Sequence, residues 1–151
     1  MNEKEMFLNS YEREFDITLK FLEAFPADNL DFRPNSHLQS ALELAWIFPE
    51  EERMFVSGAL DGDVVFKKNP SPETLDEIKE AYKTNHRALA ARIKGLPEED
   101  FNEMITFGSG ADNAVPMRRG DALWDIAVFS SIYISELGNR ALRQNPCVFG
   151  P

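Results

Sequence analysis

Glu43-Leu44-Ala45-Trp46-Ile47-Phe48, followed at once by Pro49 and Glu50-Glu51-Glu52, is the stretch whose reading decides the fold. Leu44, Ile47, Phe48 and Phe55 recur at helical spacing, so the run forms the apolar face of a helix. That helix is expected to start near Ser36 or Ser40 and to reach about Leu60, where Asp61-Gly62-Asp63 breaks the chain. Pro49 falls inside it. A proline there removes the hydrogen bond to the Ala45 carbonyl and kinks the helix. Alternatively, Phe48 ends one helix and Pro49 opens another, with three glutamates favourably in its first turn. The reading taken is a kinked single helix.

Outward from this stretch, three more helices are legible. Phe7, Tyr11, Phe15, Thr18, Leu22 and Phe25 share one face of a first helix, about residues 2 to 25, which Pro26 ends. Ser71 as N-cap and Pro72 at the first helical position open a third, with the stripe Leu75, Ile78, Tyr82, Leu89, Ile93 and Leu96. Gly95 and Pro97 stop it. Gly120-Asp121 opens the last helix, expected to reach about Arg143, with Leu123, Ala127, Ser130, Ile134, Leu137 and Ala141 facing the core. Residues 97 to 120 read as a long irregular loop holding at most a short helix from Glu98 to Met104. Val64-Val65-Phe66 is the only strand-like run. Four long amphipathic segments in one domain, 1–151, predict an all-α four-helix bundle.

Composition narrows the function classes. A chain of 151 residues can bury roughly two-thirds of its unfolded surface, and twelve Phe supply large core side chains. A net charge of −10, from 26 acidic and 16 basic residues, repels phosphate backbones and anionic lipids. Arg118-Arg119 and Lys67-Lys68 are the only basic pairs of note. Neither nucleic acid nor membrane is an expected partner, and no apolar run approaches the roughly 18 residues of a span. Met1-Asn2-Glu3-Lys4-Glu5 has neither the basic start nor the apolar block of a signal peptide. Cys147 is single, so no internal disulfide forms, and a cytoplasmic setting is expected.

Several stretches together resemble the DinB/YfiT-like helical bundles. Phe32-Arg33-Pro34 is similar to the family's turn before its second helix, and Ser40-Ala41-Leu42-Glu43-Leu44-Ala45-Trp46 resembles that helix's start. Asp121-Ala122-Leu123-Trp124 looks like the opening of its last helix. The tail Pro146-Cys147-Val148-Phe149-Gly150-Pro151 is similar to an ending some members carry. The resemblance implies a four-helix bundle with an unusual order of helix directions, often a homodimer. It also implies, in many members, one divalent metal such as zinc or nickel held by three histidines. Some relatives use that metal to activate a thiol cofactor for transferase or isomerase chemistry.

This chain departs from the family at the metal. Where a histidine commonly follows the Trp, Ile47 stands. The helical pair of the last helix, four residues apart so that both side chains reach one ion, maps to Ser130 and Ile134, or to Tyr133 with an offset of one. The chain's histidines, His37 and His86, lie elsewhere. The pocket-lining set is therefore Ile47, Glu51, Ser130 and Ile134, with no metal ligand and no cofactor expected.

Glu51 and Glu52 fall within or beside the apolar arc of the second helix, and Glu136 of the last helix is placed to approach them. A carboxylate there would bind a hard cation or act as a buried base. The expectation is instead that both sit at the edge and reach out to water, since charged side chains are rarely fully buried. His86 is read as a packed or hydrogen-bonded residue at the edge of the third helix's stripe, and His37 as part of the loop or first turn of the second helix. Cys147 has no sequence-evident base and is read as structural. Trp46 and Trp124 are read as packing, with the mouth of a pocket as the alternative, and Gly108-Ser109-Gly110, with no strand expected before it, as a weak phosphate signal.

The function expected is a DinB-like bundle acting as a non-catalytic binding or interaction protein. The alternative is a divalent-metal enzyme, using zinc or nickel at a degenerate site around Glu51 and Glu52. A thiol-dependent transferase ranks third, because the missing histidines count against it.

Overall fold

The structure, a computed structural model, describes residues 1–126 apart from positions 27, 29 and 111. The greater part of the expected last helix, with Ser130, Tyr133, Ile134 and Glu136, and the tail with Cys147 lie outside the described residues.

Three helices start on the same local chemistry. Helix α1 (Glu3–Ala24) is capped by Asn2, whose side chain accepts from the Glu5 N–H while Glu5 returns to the Asn2 N–H. Ser40 and Glu43 make the same reciprocal pair at the head of α2 (Ala41–Glu51), and Thr74 and Glu77 make it at the head of α4 (Leu75–Gly95). Each pair satisfies two N–H groups that the first helical turn leaves without partners. Thr74 therefore corrects the expected cap. Ser71 has no Glu or Gln three residues on, and its hydroxyl donates to the Pro72 carbonyl instead, at 2.9 Å.

The second helix stays continuous through Pro49. α2 passes directly into a π-helical segment (Glu52–Ser57) and then α3 (Gly58–Asp61), ending at Gly62 with φ 90°. Glu52 N–H reaches the carbonyls of Phe48 and Pro49. The irregularity is a set of wide turns beginning three residues after the proline. A π turn holds more residues than an α turn, and Glu52, Met54, Phe55 and Val56 are all buried along it.

The connection between α4 and the last helix is long but not irregular. After a 3₁₀ turn (Glu98–Asn102), β2 (Met104–Ser109) and β3 (Val115–Arg118) form an antiparallel hairpin. β1 (Asp63–Val65) joins β2 in parallel, pairing Asp63 with Thr106 and Val64 with Phe107. The result is a small sheet of order β1-β2-β3 on a mostly helical molecule. Pro116 fits because β3 is an edge strand, where one missing N–H costs no ladder bond. Helix returns at 119 and continues to 126, the last described residue. No described helix is long and apolar enough to cross a membrane.

The described core falls into two apolar clusters. One gathers Phe7, Met54, Phe55, Val56, Leu89, Ile93, Phe101 and Leu123 beside the sheet. The other gathers Leu22, Phe25, Leu44, Ile47, Phe48, Leu75, Ile78 and Tyr82. On α4 the changeover lies between Tyr82 and Leu89, and on the second helix between Phe48 and Met54. Those gaps hold His86, Glu51 and Glu52.

Candidate functional site

Glu51 and Glu52 are not at the edge of the bundle. Their residues are 4% and 3% exposed, which overturns the expectation that they reach water. Adjacent residues on a helix point about 100° apart, and the two side chains line different cavities.

Glu51 borders a cleft of about 570 Å³, in the range that holds a small ligand. Trp46, Ile47, Met54 and Phe55 line it from the second helix, and Phe66, Lys68 and Asn69 from the segment after β1. Trp46 fixes that segment, donating its indole N–H to the Asn69 carbonyl at 3.0 Å. Glu50 fixes it again: both carboxylate oxygens take the Arg53 guanidinium at 2.9 Å, and one also takes the Asn69 N–H at 2.7 Å. Burial raises the Glu50 carboxyl, but these donors outweigh it and hold it below the usual carboxylate range. Glu43 is likewise engaged, by Arg33 at 2.8 Å and by the Ser40 N–H.

Glu51 has no such partners. Its Oε2 is sealed from solvent without a hydrogen bond among the described residues. Burial pushes the carboxyl up to about 8, partly opposed by the positive charge of Lys68. At neutral pH it is mostly a neutral acid, able to donate one hydrogen bond.

Glu52 belongs to a second cluster, and His86 is its centre. Only 3% exposed, His86 is not an edge residue. Its Nδ1 lies 2.9 Å from Glu52 Oε1 and its Nε2 lies 3.0 Å from Glu12 Oε2. Phe15 stacks on the ring with 3.9 Å between centroids, and Tyr11 lies at 4.3 Å. Burial alone would lower the His86 pKa, but the two carboxylates outweigh it and raise it. Burial also raises Glu52, against the pull of His86. Both directions mean that the cluster holds its protons to higher pH than separate groups would. The Tyr11 hydroxyl is close enough to Glu52 for each to shift the other, yet it makes no hydrogen bond of ordinary geometry among the described residues.

The remaining candidates separate cleanly. His37 is exposed in the turn before α2, its N–H held by Asn35 Oδ1 at 3.0 Å. Trp124 packs edge-on to Phe7 and donates to Glu3, whereas Trp46 lines the cleft rather than only packing. Gly108 and Gly110 both carry positive φ, Gly108 within β2 at the residue its pairing with β1 skips and Gly110 in the turn that follows, so backbone conformation explains both. Lys68 was passed over in the sequence as half of a basic pair. Its place in the cleft follows from the path after β1, which no local pattern announces.

A tri-histidine metal centre does not fit the described residues. Ile47 presents an apolar wall at the first position, both nitrogens of His86 are occupied by carboxylates, and Glu51 and Glu52 border different cavities. Among the described residues no group of three His, Cys, Asp or Glu side chains is placed to hold an ion.

Solved structures share this architecture. A DinB-like protein from Bacillus cereus superposes with a TM-score of 0.77 at 20% identity, over 93% of this chain and 91% of that one. A DinB-like protein from Bacillus subtilis, YjoA, gives 0.70 at 14% identity, over 92% of each chain. No protein-family profile and no curated protein sequence matches the chain. The fold is that of the DinB-like proteins, as the stretch around Trp46 led us to expect.

Proposed function

We propose that this protein is a non-catalytic member of the DinB-like fold that binds a small molecule in the cleft beside Trp46, without a metal. The observation that carries the reading is Glu51: a buried carboxyl without a hydrogen-bond partner among the described residues, bordering a cleft whose apolar wall is Trp46, Ile47, Met54, Phe55 and Phe66. Ile47 supports the metal-free part, since an ion needs imidazole, carboxylate or thiolate where this side chain offers only surface. A pair of chains is the assembly the reading carries, given the ease with which bundles associate through one face. Light scattering checks it, and a monomer mass would remove it.

The cleft is tested with 1-hexanol as a neutral probe, following the Trp46 indole N–H resonance. A saturable shift is expected in the native protein. Ser71→Trp, which fills the rim without touching the core, should abolish it, and an unchanged titration in that variant would sink the cleft reading. The metal-free part has a separate readout. One equivalent of zinc, nickel or manganese in protein purified without chelator, lost in the Glu51→Gln, Glu52→Gln double variant, would overturn it.

A further inference from the structure

The polar groups of the cleft are not equivalent, and their accounting narrows the ligand. Glu43 is engaged by Arg33 and the Ser40 N–H, and Glu50 by Arg53 and the Asn69 N–H. These two carboxylates and two guanidiniums cancel. Ser71 spends its hydroxyl on the Pro72 carbonyl. Of the ionisable groups that line the cleft, beside the neutral amides of Gln39 and Asn69, this leaves the Glu51 carboxyl and the Lys68 ammonium, which makes no hydrogen bond or salt bridge among the described residues but lies near enough to be felt at both Glu50 and Glu51.

From this arrangement we infer that the cleft takes a small organic acid, its apolar body against Trp46, Ile47, Phe55 and Phe66 and its carboxylate between Lys68 and Glu51. The inference rests on the cleft reading above and names the ligand class for it. Burial keeps Glu51 from ionising cheaply, so the group that meets it is an acceptor and Glu51 the donor. Lys68 supplies the charge. It is exposed, so it pairs with an anion without being desolvated first. An amine ligand faces the opposite situation. It meets Lys68 as a like charge, finds Glu43 and Glu50 already paired, and has to ionise Glu51 inside the wall. Tyr82, on the inner side of Glu51, offers only a neutral phenol, and its own burial keeps it so.

Three probes of one length decide the matter: hexanoate, 1-hexanol and hexylamine, titrated by calorimetry at pH 7. Hexanoate should bind about tenfold more tightly than hexanol, as expected for one charge-assisted contact. Lys68→Met should erase that preference, hexanoate then binding no more tightly than hexanol to the same variant. Glu51→Gln, which keeps a donor in the same place, should retain most of the preference, and Glu51→Ala should weaken it. Equal binding of hexanoate and hexanol, or a preference that survives Lys68→Met, overturns the ligand class and leaves the cleft reading standing. Tightest binding of hexylamine, with proton release seen by comparing two buffers of different ionisation enthalpy, overturns it in favour of a cation. Failure of all three probes to bind sinks the cleft reading itself. Lys68 is exposed and outside the core, so the decisive variant should fold as the native chain does, with circular dichroism as the check.

Discussion

Glu51 is an acid buried where it cannot easily be charged, and that has a measurable sign. Its ordinary value is 4.5 and its folded value about 8. Between those limits the folded protein holds a proton that the unfolded chain has released. The stability this group contributes is therefore complete below 4.5, declines as pH rises, and is gone above about 8. The slope is about 1.4 kcal/mol per pH unit. Glu51→Gln, a neutral replacement of the same shape, should remove that slope and be more stable than the native protein at pH 9. Urea denaturation at pH 5, 7 and 9 measures it, and parallel profiles for the two proteins would refute it. His86, also raised, loses its contribution as pH climbs past its own folded value. It does so equally in both proteins, so the difference between profiles isolates Glu51.

At the scale of elements, local chemistry was legible and long-range pairing was not. Ser40 and Glu43 cap a helix from within four residues of sequence, and Ser40 was one of the two starts, with Ser36, that the chain offered for α2. The hairpin of β2 and β3 escaped because its strands are short, one carries Pro116, and its pairing with β1 spans the whole of α4. The cleft was half legible for the same reason. Ile47 and Glu51 share a helical face that periodicity reveals, whereas Phe66, the end of the strand-like run, and Lys68 beyond it reach the cleft by a path that no periodicity announces. His86 was rightly read as packed and hydrogen-bonded but wrongly placed at the edge, because its position on the stripe could not show that carboxylates from two other helices meet it inside. Gly58 marks where helix and sheet come closest. A Cβ there would lie 2.9 Å from the Asp63 carbonyl oxygen and 3.0 Å from Val64 Cα, both backbone atoms that cannot swing aside. Gly58→Ala should thus cost about 1–3 kcal/mol by overpacking, although alanine is the better helix former by about 1 kcal/mol. A midpoint of urea unfolding equal to or above the native one would show that the two backbones have room to spare.

Across the whole molecule, α1, the second helix and α4 each present one polar group to a single level between two apolar clusters: Glu12, Glu52 and His86. Removing one member strands the others. Glu52→Leu or His86→Leu alone should cost about 3–5 kcal/mol, while the two together should restore much of that loss. A double-mutant cycle by chemical denaturation reads the coupling, and simple additivity would mean that the groups do not act as a unit. The layer has a further consequence, for how the helices are aligned rather than how tightly they hold. Leucine faces are nearly interchangeable from one turn to the next, so two such helices can slide by a turn, about 5.4 Å, and still find oil on both sides. A slide of that size takes His86 beyond reach of Glu52 and leaves an imidazole and a carboxylate each facing hydrocarbon. The triad thus works as a ruler laid along the bundle, admitting one axial setting of its helices and rejecting the neighbouring ones.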